Sequence, residues 1–154
     1  MLTQVSGTTS PKVAFTLDMG GRLTGATQIV DFLVANQVCT TFFATSVMAA
    51  TTEGRAVMAK IAAHPELFEV GNHTVAHCDL VNGGGGSPSS APCNRTMTTS
   101  FVRSEIVNAE PTLKSLTGMP IRPYWRPPYG SHSATVRSIA AGAGYTKTVM
   151  WNRD

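Results

Sequence analysis

Two histidines four residues apart, in GNHTVAHCD, are the residues of this 154-residue chain best placed to do chemistry. One helical turn at the spacing H-x-x-x-H would present His73 and His77 to the same side. Two imidazoles so placed suit one divalent ion, with Zn–N distances of roughly 2.0–2.1 Å, and leave coordination positions open for water, as a catalytic site requires. Asp18, in FTLDMGG, is an ordinary strand-end carboxylate or helix cap when taken alone. Beside a metal it becomes a candidate base for a bound water. Arg126, in WRPPYGS, opens a rigid Pro-Pro turn and is either a structural ion-pair partner or a guanidinium at a site. His64 and His132 read as surface residues, in a helix end and a Ser-rich turn.

These residues need elements to bring them together, and the patterning supplies them. KVAFTLD (12–18), CTTFFAT (39–45), LFEVGN (67–72) and YTKTVMW (145–151) read as strands, the first as a buried one. TGATQIVDFLVANQ reads as a helix with Thr24 as N-cap, and EGRAVMAKIAAH as a second one ended by Pro65. Residues 98–118 predict a helix that Pro111 kinks or splits, IRPYWRPP an extended segment, and SATVRSIAAGAG a last helix. Alternating strands and helices imply a parallel sheet with right-handed crossovers, as an open doubly wound sheet or a barrel. A complete eightfold barrel takes about 250 residues, so this chain holds fewer than eight strands. In such folds the carboxyl ends of the strands share one face. Asp18, His73, Arg126 and Asp154 each end or follow a strand or extended segment, and so are expected to converge there.

Composition limits the alternatives. Hydrophobic residues make up 42% and charged residues 14%, which describes a globular domain, and no apolar run is long enough to span a membrane. The formal charge of +3 is spread without basic blocks, which argues against nucleic acid and is compatible with an anionic polymer. Cys39, in an apolar run, reads as a buried thiol. Cys78 and Cys93 flank the Gly/Ser/Pro-rich stretch DLVNGGGGSPSSAP; a bridge between them would close a loop that cannot pack a core. A disulfide would place the protein in an oxidising, secreted or cell-envelope setting, although the first residues lack a signal peptide. Asn72-His73-Thr74 and Asn94-Arg95-Thr96 both match the glycosylation sequon, the first fortuitously.

FTLDMGG, GNHTVAH, WRPPYGS and VMWNRD, in this order, resemble the successive motifs of the NodB-homology polysaccharide deacetylases, the family-4 carbohydrate esterases. The resemblance runs from about residue 12 to residue 154, with residues 1–11 as a leader and the last family motif unmatched. It implies a distorted, incomplete (β/α) barrel and a divalent metal, most often zinc, with cobalt or nickel as substitutes. The implied activity is hydrolysis of N- or O-acetyl groups on chitin oligomers, peptidoglycan or acetylxylan, by a monomer without a nucleic-acid partner or membrane span. By position it makes Asp18 the base, His73 and His77 the metal ligands, Arg126 the brace of the base, and the Tyr129 N–H a donor to the oxyanion. Pro127, Pro128, Tyr124 and Trp125 would shape the substrate groove, and Asp154 would pair with the arginine. The family's usual second aspartate, a metal ligand, is here Met19, and a thioether is a poor zinc ligand. The histidine of the last motif, the family's acid toward the leaving group, has no counterpart in this chain. The resemblance therefore implies either a deacetylase with a weakened metal site or a sugar-binding pseudoenzyme.

Overall fold

The computed structural model describes residues 1–3, 7, 9 and 12–153. Among these, five strands form one parallel sheet in the order β1-β2-β3-β4-β5: Phe15–Met19, Thr40–Ala44, Phe68–Asn72, Tyr124–Trp125 and Lys147–Thr148. Successive strands that pair in chain order, without a reversal, put every right-handed crossover on the same side. That is the arrangement of an incomplete (β/α) barrel, and it separates this fold from a doubly wound sheet, where the order reverses. No helix among the described residues is long and apolar enough to cross a membrane.

The local chemistry explains most element boundaries. β2 is buried along both faces, as a central parallel strand should be. β1 lies at the sheet edge, so the expectation of a buried strand over 12–18 fails at its start: Val13 and Phe15 are exposed. Helix α1 (Ala26–Ala35) turns Val30 and Leu33 inward, but its N-cap is Gly25 in the left-handed region rather than Thr24. The short α2 (Ser46–Ala49) follows β2 directly, and α3 (Thr52–Ala62) starts where the Thr51 hydroxyl accepts from Gly54 N at 3.0 Å.

The long helical pattern over 98–118 divides into α4 (Thr99–Val107) and α5 (Ala109–Thr117). Pro111 falls in the first turn of α5, where a missing N–H costs nothing, and the break lies upstream at Asn108. Helix α6 (Ala134–Gly142) is capped by Ser133, whose hydroxyl accepts from Val136 N. The expected last strand over 145–151 shrinks to Lys147–Thr148, although Leu2 adds a parallel bridge beside Val149. Cys39 is exposed, which corrects the expected buried thiol: it precedes β2, whose first residue, Thr40, takes the inward position.

Candidate active site

The expected face exists. Asp18 sits near the end of β1 and His73 follows β3 directly, while Arg126 follows β4. Asp154 lies outside the described residues.

Arg126 is the organising side chain. It is 3% exposed. Its Nη1 donates to Asp18 Oδ1 at 2.7 Å, Nη2 to Thr16 Oγ1 at 2.8 Å, and Nε to the Val149 carbonyl at 3.3 Å. The guanidinium also lies over the Phe43 ring, 4.3 Å from its centroid, with Trp151 at 5.5 Å. A buried guanidinium needs this density of partners, since an unpaired one would be too costly to bury. The result is a carboxylate with one oxygen committed and one free.

The free oxygen, Asp18 Oδ2, stands 3.6 Å from His73 Nε2. His73 is buried, and its Nδ1 lies 2.8 Å from the Arg126 carbonyl. A carbonyl can only accept, so Nδ1 carries the proton and Nε2 offers a lone pair. His77 Nε2 lies 3.2 Å from that atom. Burial holds the His73 pKa below its ordinary value, against the pull of Asp18 and of the hydrogen bond to Arg126. Burial, with His73 as its neighbour, likewise lowers His77 to about 4. Both imidazoles are therefore neutral at neutral pH, which is the protonation state a metal ligand needs. Their facing Nε2 atoms suit a divalent cation.

No set of three His, Cys, Asp or Glu side chains among the described residues is disposed to cage a metal. Asp18 is engaged by Arg126, and Met19 is 4% exposed within the hydrophobic core. A cation here would rest on two imidazoles and solvent or substrate.

The route by which the histidines meet differs from expectation. Residues 73–77 are not a helical turn. Thr74 and His77 instead take positive φ, 75° and 60°, and these two left-handed residues fold the loop back so that the rings converge. Such conformations cost roughly 1–3 kcal/mol each and persist only where surroundings enforce them. Gly20 is one enforcer: a Cβ there would stand 2.3 Å from His77 Cδ2, so only glycine lets the ring lie against the end of β1. Tyr129 (φ 59°) is another, its ring centroid 4.6 Å from that of His77 and its hydroxyl accepting from Gly86 N. The expected disulfide joins Cys78 to Cys93 and closes the glycine-rich loop beside this ring. Sequence reasoning did not find Thr16, Gly20 as a cradle, or Glu105, whose carboxylate accepts from Ala76 N.

The remaining site candidates separate by burial. Pro127 and Pro128 are buried beneath the turn, and Tyr124 is partly exposed. Trp125 is fully buried with Nε1 donating to Thr148 Oγ1, so its ring packs the sheet and presents no surface to a substrate. Asn72 is buried with Nδ2 donating to the Ile106 carbonyl, which closes its sequon, whereas Asn94 is exposed. A surface depression lined by Asn94, Arg95, Thr96 and Phe101 among others contains none of the converging residues.

Comparison with known proteins gives this geometry a family. The family model described as polysaccharide deacetylase matches residues 6–148. The chain belongs to the polysaccharide deacetylase family. Chitin deacetylase 3 of Cryptococcus neoformans is 34% identical over 87 residues, 56% of this chain and 19% of that protein. A family 4 carbohydrate esterase from Bacillus anthracis superposes with TM-score 0.69 at 25% identity, over 90% of this chain and 57% of that one. A CE4 family pseudoenzyme from the same organism gives TM-score 0.69 at 21% identity, over 90% and 42%, a likeness of fold alone. The chain thus spans about a fifth of the curated relative and about half of these polysaccharide deacetylase-fold structures.

Proposed function

We propose that this chain carries the hydrolytic centre of a metal-dependent polysaccharide deacetylase, removing N- or O-acetyl groups from a sugar polymer such as chitin oligomers, peptidoglycan or acetylxylan. One observation carries the reading: Asp18 has one oxygen pinned by buried Arg126 and the other free, 3.6 Å from an imidazole whose lone pair faces a second imidazole. A divalent ion held by His73 and His77, with zinc favoured by the donor set and cobalt or nickel as substitutes, would supply Lewis-acid polarisation of the acetyl carbonyl and a more acidic water.

The chain's own residues do the rest. Asp18 Oδ2 takes the proton of the attacking water, while Arg126 and Thr16 keep the carboxylate from turning away. The peptide N–H of Tyr129, in a left-handed turn, serves as the donor to the oxyanion. Tyr124 is the exposed member of the wall along which the polymer lies, and the buried Pro127 and Pro128 shape the turn behind it. The Cys78–Cys93 bridge supports export to an oxidising compartment, where such a polymer is found.

Acetate release from acetylated chitooligosaccharides, with and without added zinc or cobalt, tests the proposal. Asp18→Asn should lower turnover by at least about a hundredfold and keep metal binding. His73→Ala with His77→Ala should abolish metal binding; stoichiometric zinc retained by that double variant would refute the site. Met19, buried where the family's second carboxylate would stand, favours one alternative, a sugar-binding pseudoenzyme. Saturable oligosaccharide binding with no acetate released at any metal concentration would establish it.

A further inference from the structure

The loop that brings the imidazoles together is fastened through its peptide groups. Thr74 N donates to Asn72 Oδ1 at 2.7 Å. The carbonyls of Thr74 and Val75 accept from Ser46 N and Val47 N at the start of α2, and those of Ala76 and His77 from Ser87 N and Gly86 N. One further fastening comes from a side chain that would not ordinarily be buried at all: Glu105 Oε2 accepts from Ala76 N at 2.9 Å.

Glu105 lies on α4 between the buried Val102 and Ile106 and is itself 5% exposed. Among the described residues no Lys, Arg or His comes within ion-pair distance of it. A carboxylate in that setting is expensive and weak evidence of stability. A leucine of similar volume would pack the helix at least as well. What leucine cannot do is hold the peptide one residue before His77, and that peptide must be held for His77 to keep its left-handed φ of 60°.

We propose that Glu105 is a positioning residue for the two-imidazole centre: by holding the Ala76 N–H it fixes His77 against His73. It acts on the loop and touches neither the substrate nor the reacting atoms. The inference rests on the reading of that centre as a metal site.

The test compares Glu105→Leu, Glu105→Gln and Glu105→Asp in the full chain, by calorimetric Co²⁺ titration and by nitrogen NMR of the histidine rings in metal-free protein. Glu105→Leu and the shortened Glu105→Asp should weaken Co²⁺ affinity about 10–100-fold, as loss of an outer support does. Glu105→Gln keeps an acceptor and should stay within about threefold. Variants that are folded, bind Co²⁺ like the parent and differ only in melting temperature would overturn the proposal. Should Glu105→Leu fail to fold, Glu105→Asp decides alone. If the parent binds no Co²⁺, the metal-site reading fails, and the ring spectra still decide the positioning. Shifted His73 and His77 signals with unmoved His64 and His132 support it; four unmoved signals overturn it.

Discussion

A carboxylate that must accept a proton has to be held without being used up, and Asp18 meets that condition because Arg126 takes one oxygen only. Position 19 is where this chain departs from the family pattern. Met19 is buried among apolar neighbours, and its carbonyl accepts from both Thr45 N and Thr45 Oγ1. Met19→Asp should therefore cost about 3 kcal/mol in metal-free protein, the penalty of placing a carboxylate in an apolar contact. Zinc should recover part of that loss by gaining a ligand. Thermal melts of both proteins with and without zinc check this; zinc should raise the melting temperature of the variant more than that of the parent. Gly20→Ala tests the opposite kind of change. Its methyl group would overlap the His77 ring, so Co²⁺ affinity should fall at least about tenfold.

At the scale of elements, the glycine-rich loop is a structural member. Gly86 N and Ser87 N hold the carbonyls of His77 and Ala76, and the Cys78–Cys93 bridge, 15 residues apart, limits how far that loop can move. Replacing both cysteines by serine should remove about 3 kcal/mol of stability in the chain-entropy account, read as a lower urea midpoint. The strands that carry Asp18 and His73 were legible because apolar runs bounded by Pro and Gly leave few other readings. The pairing of Cys78 with Cys93 was legible from the absence of core-forming residues between them. The turn at 73–77 was not. H-x-x-x-H has helical spacing, and the segment from Thr74 to His77 departs from it, with β-branched Thr74 at positive φ, through its hydrogen bonds to residues 46, 47, 86, 87 and 105. Glu105 was illegible for the same reason: its partner is a backbone N–H 29 residues away, which no side-chain pattern announces.

Across the whole molecule, the site depends on β4 and β5 staying against β3, and those two strands are only two residues long each. Ladder hydrogen bonds alone give them little. A polar cluster built on buried Tyr145 and reaching the surface at Arg122 ties them to α5 instead: Tyr145 OH donates to Glu110 Oε2 at 3.0 Å, and Arg122 Nε donates to the same oxygen at 2.8 Å. Tyr145 is 1% exposed, and burial above all raises its pKa from 10.0 to about 12. Its phenol is neutral in the unfolded chain and in the folded one below pH 10. Between pH 10 and 12 the unfolded chain loses the proton first, so the folded state binds more protons and stability falls as pH rises. The Tyr145 contribution is therefore complete below pH 10 and gone above about 12, a loss of roughly 3 kcal/mol. Tyr145→Phe should be less stable than the parent by about 1 kcal/mol at neutral pH, having lost the hydrogen bond to Glu110. It should also lack this alkaline slope, so the two urea midpoints, followed from pH 8 to 11.5, should meet at about pH 10.7 and cross above it. Parallel curves would show that the short strands are held by something other than this cluster.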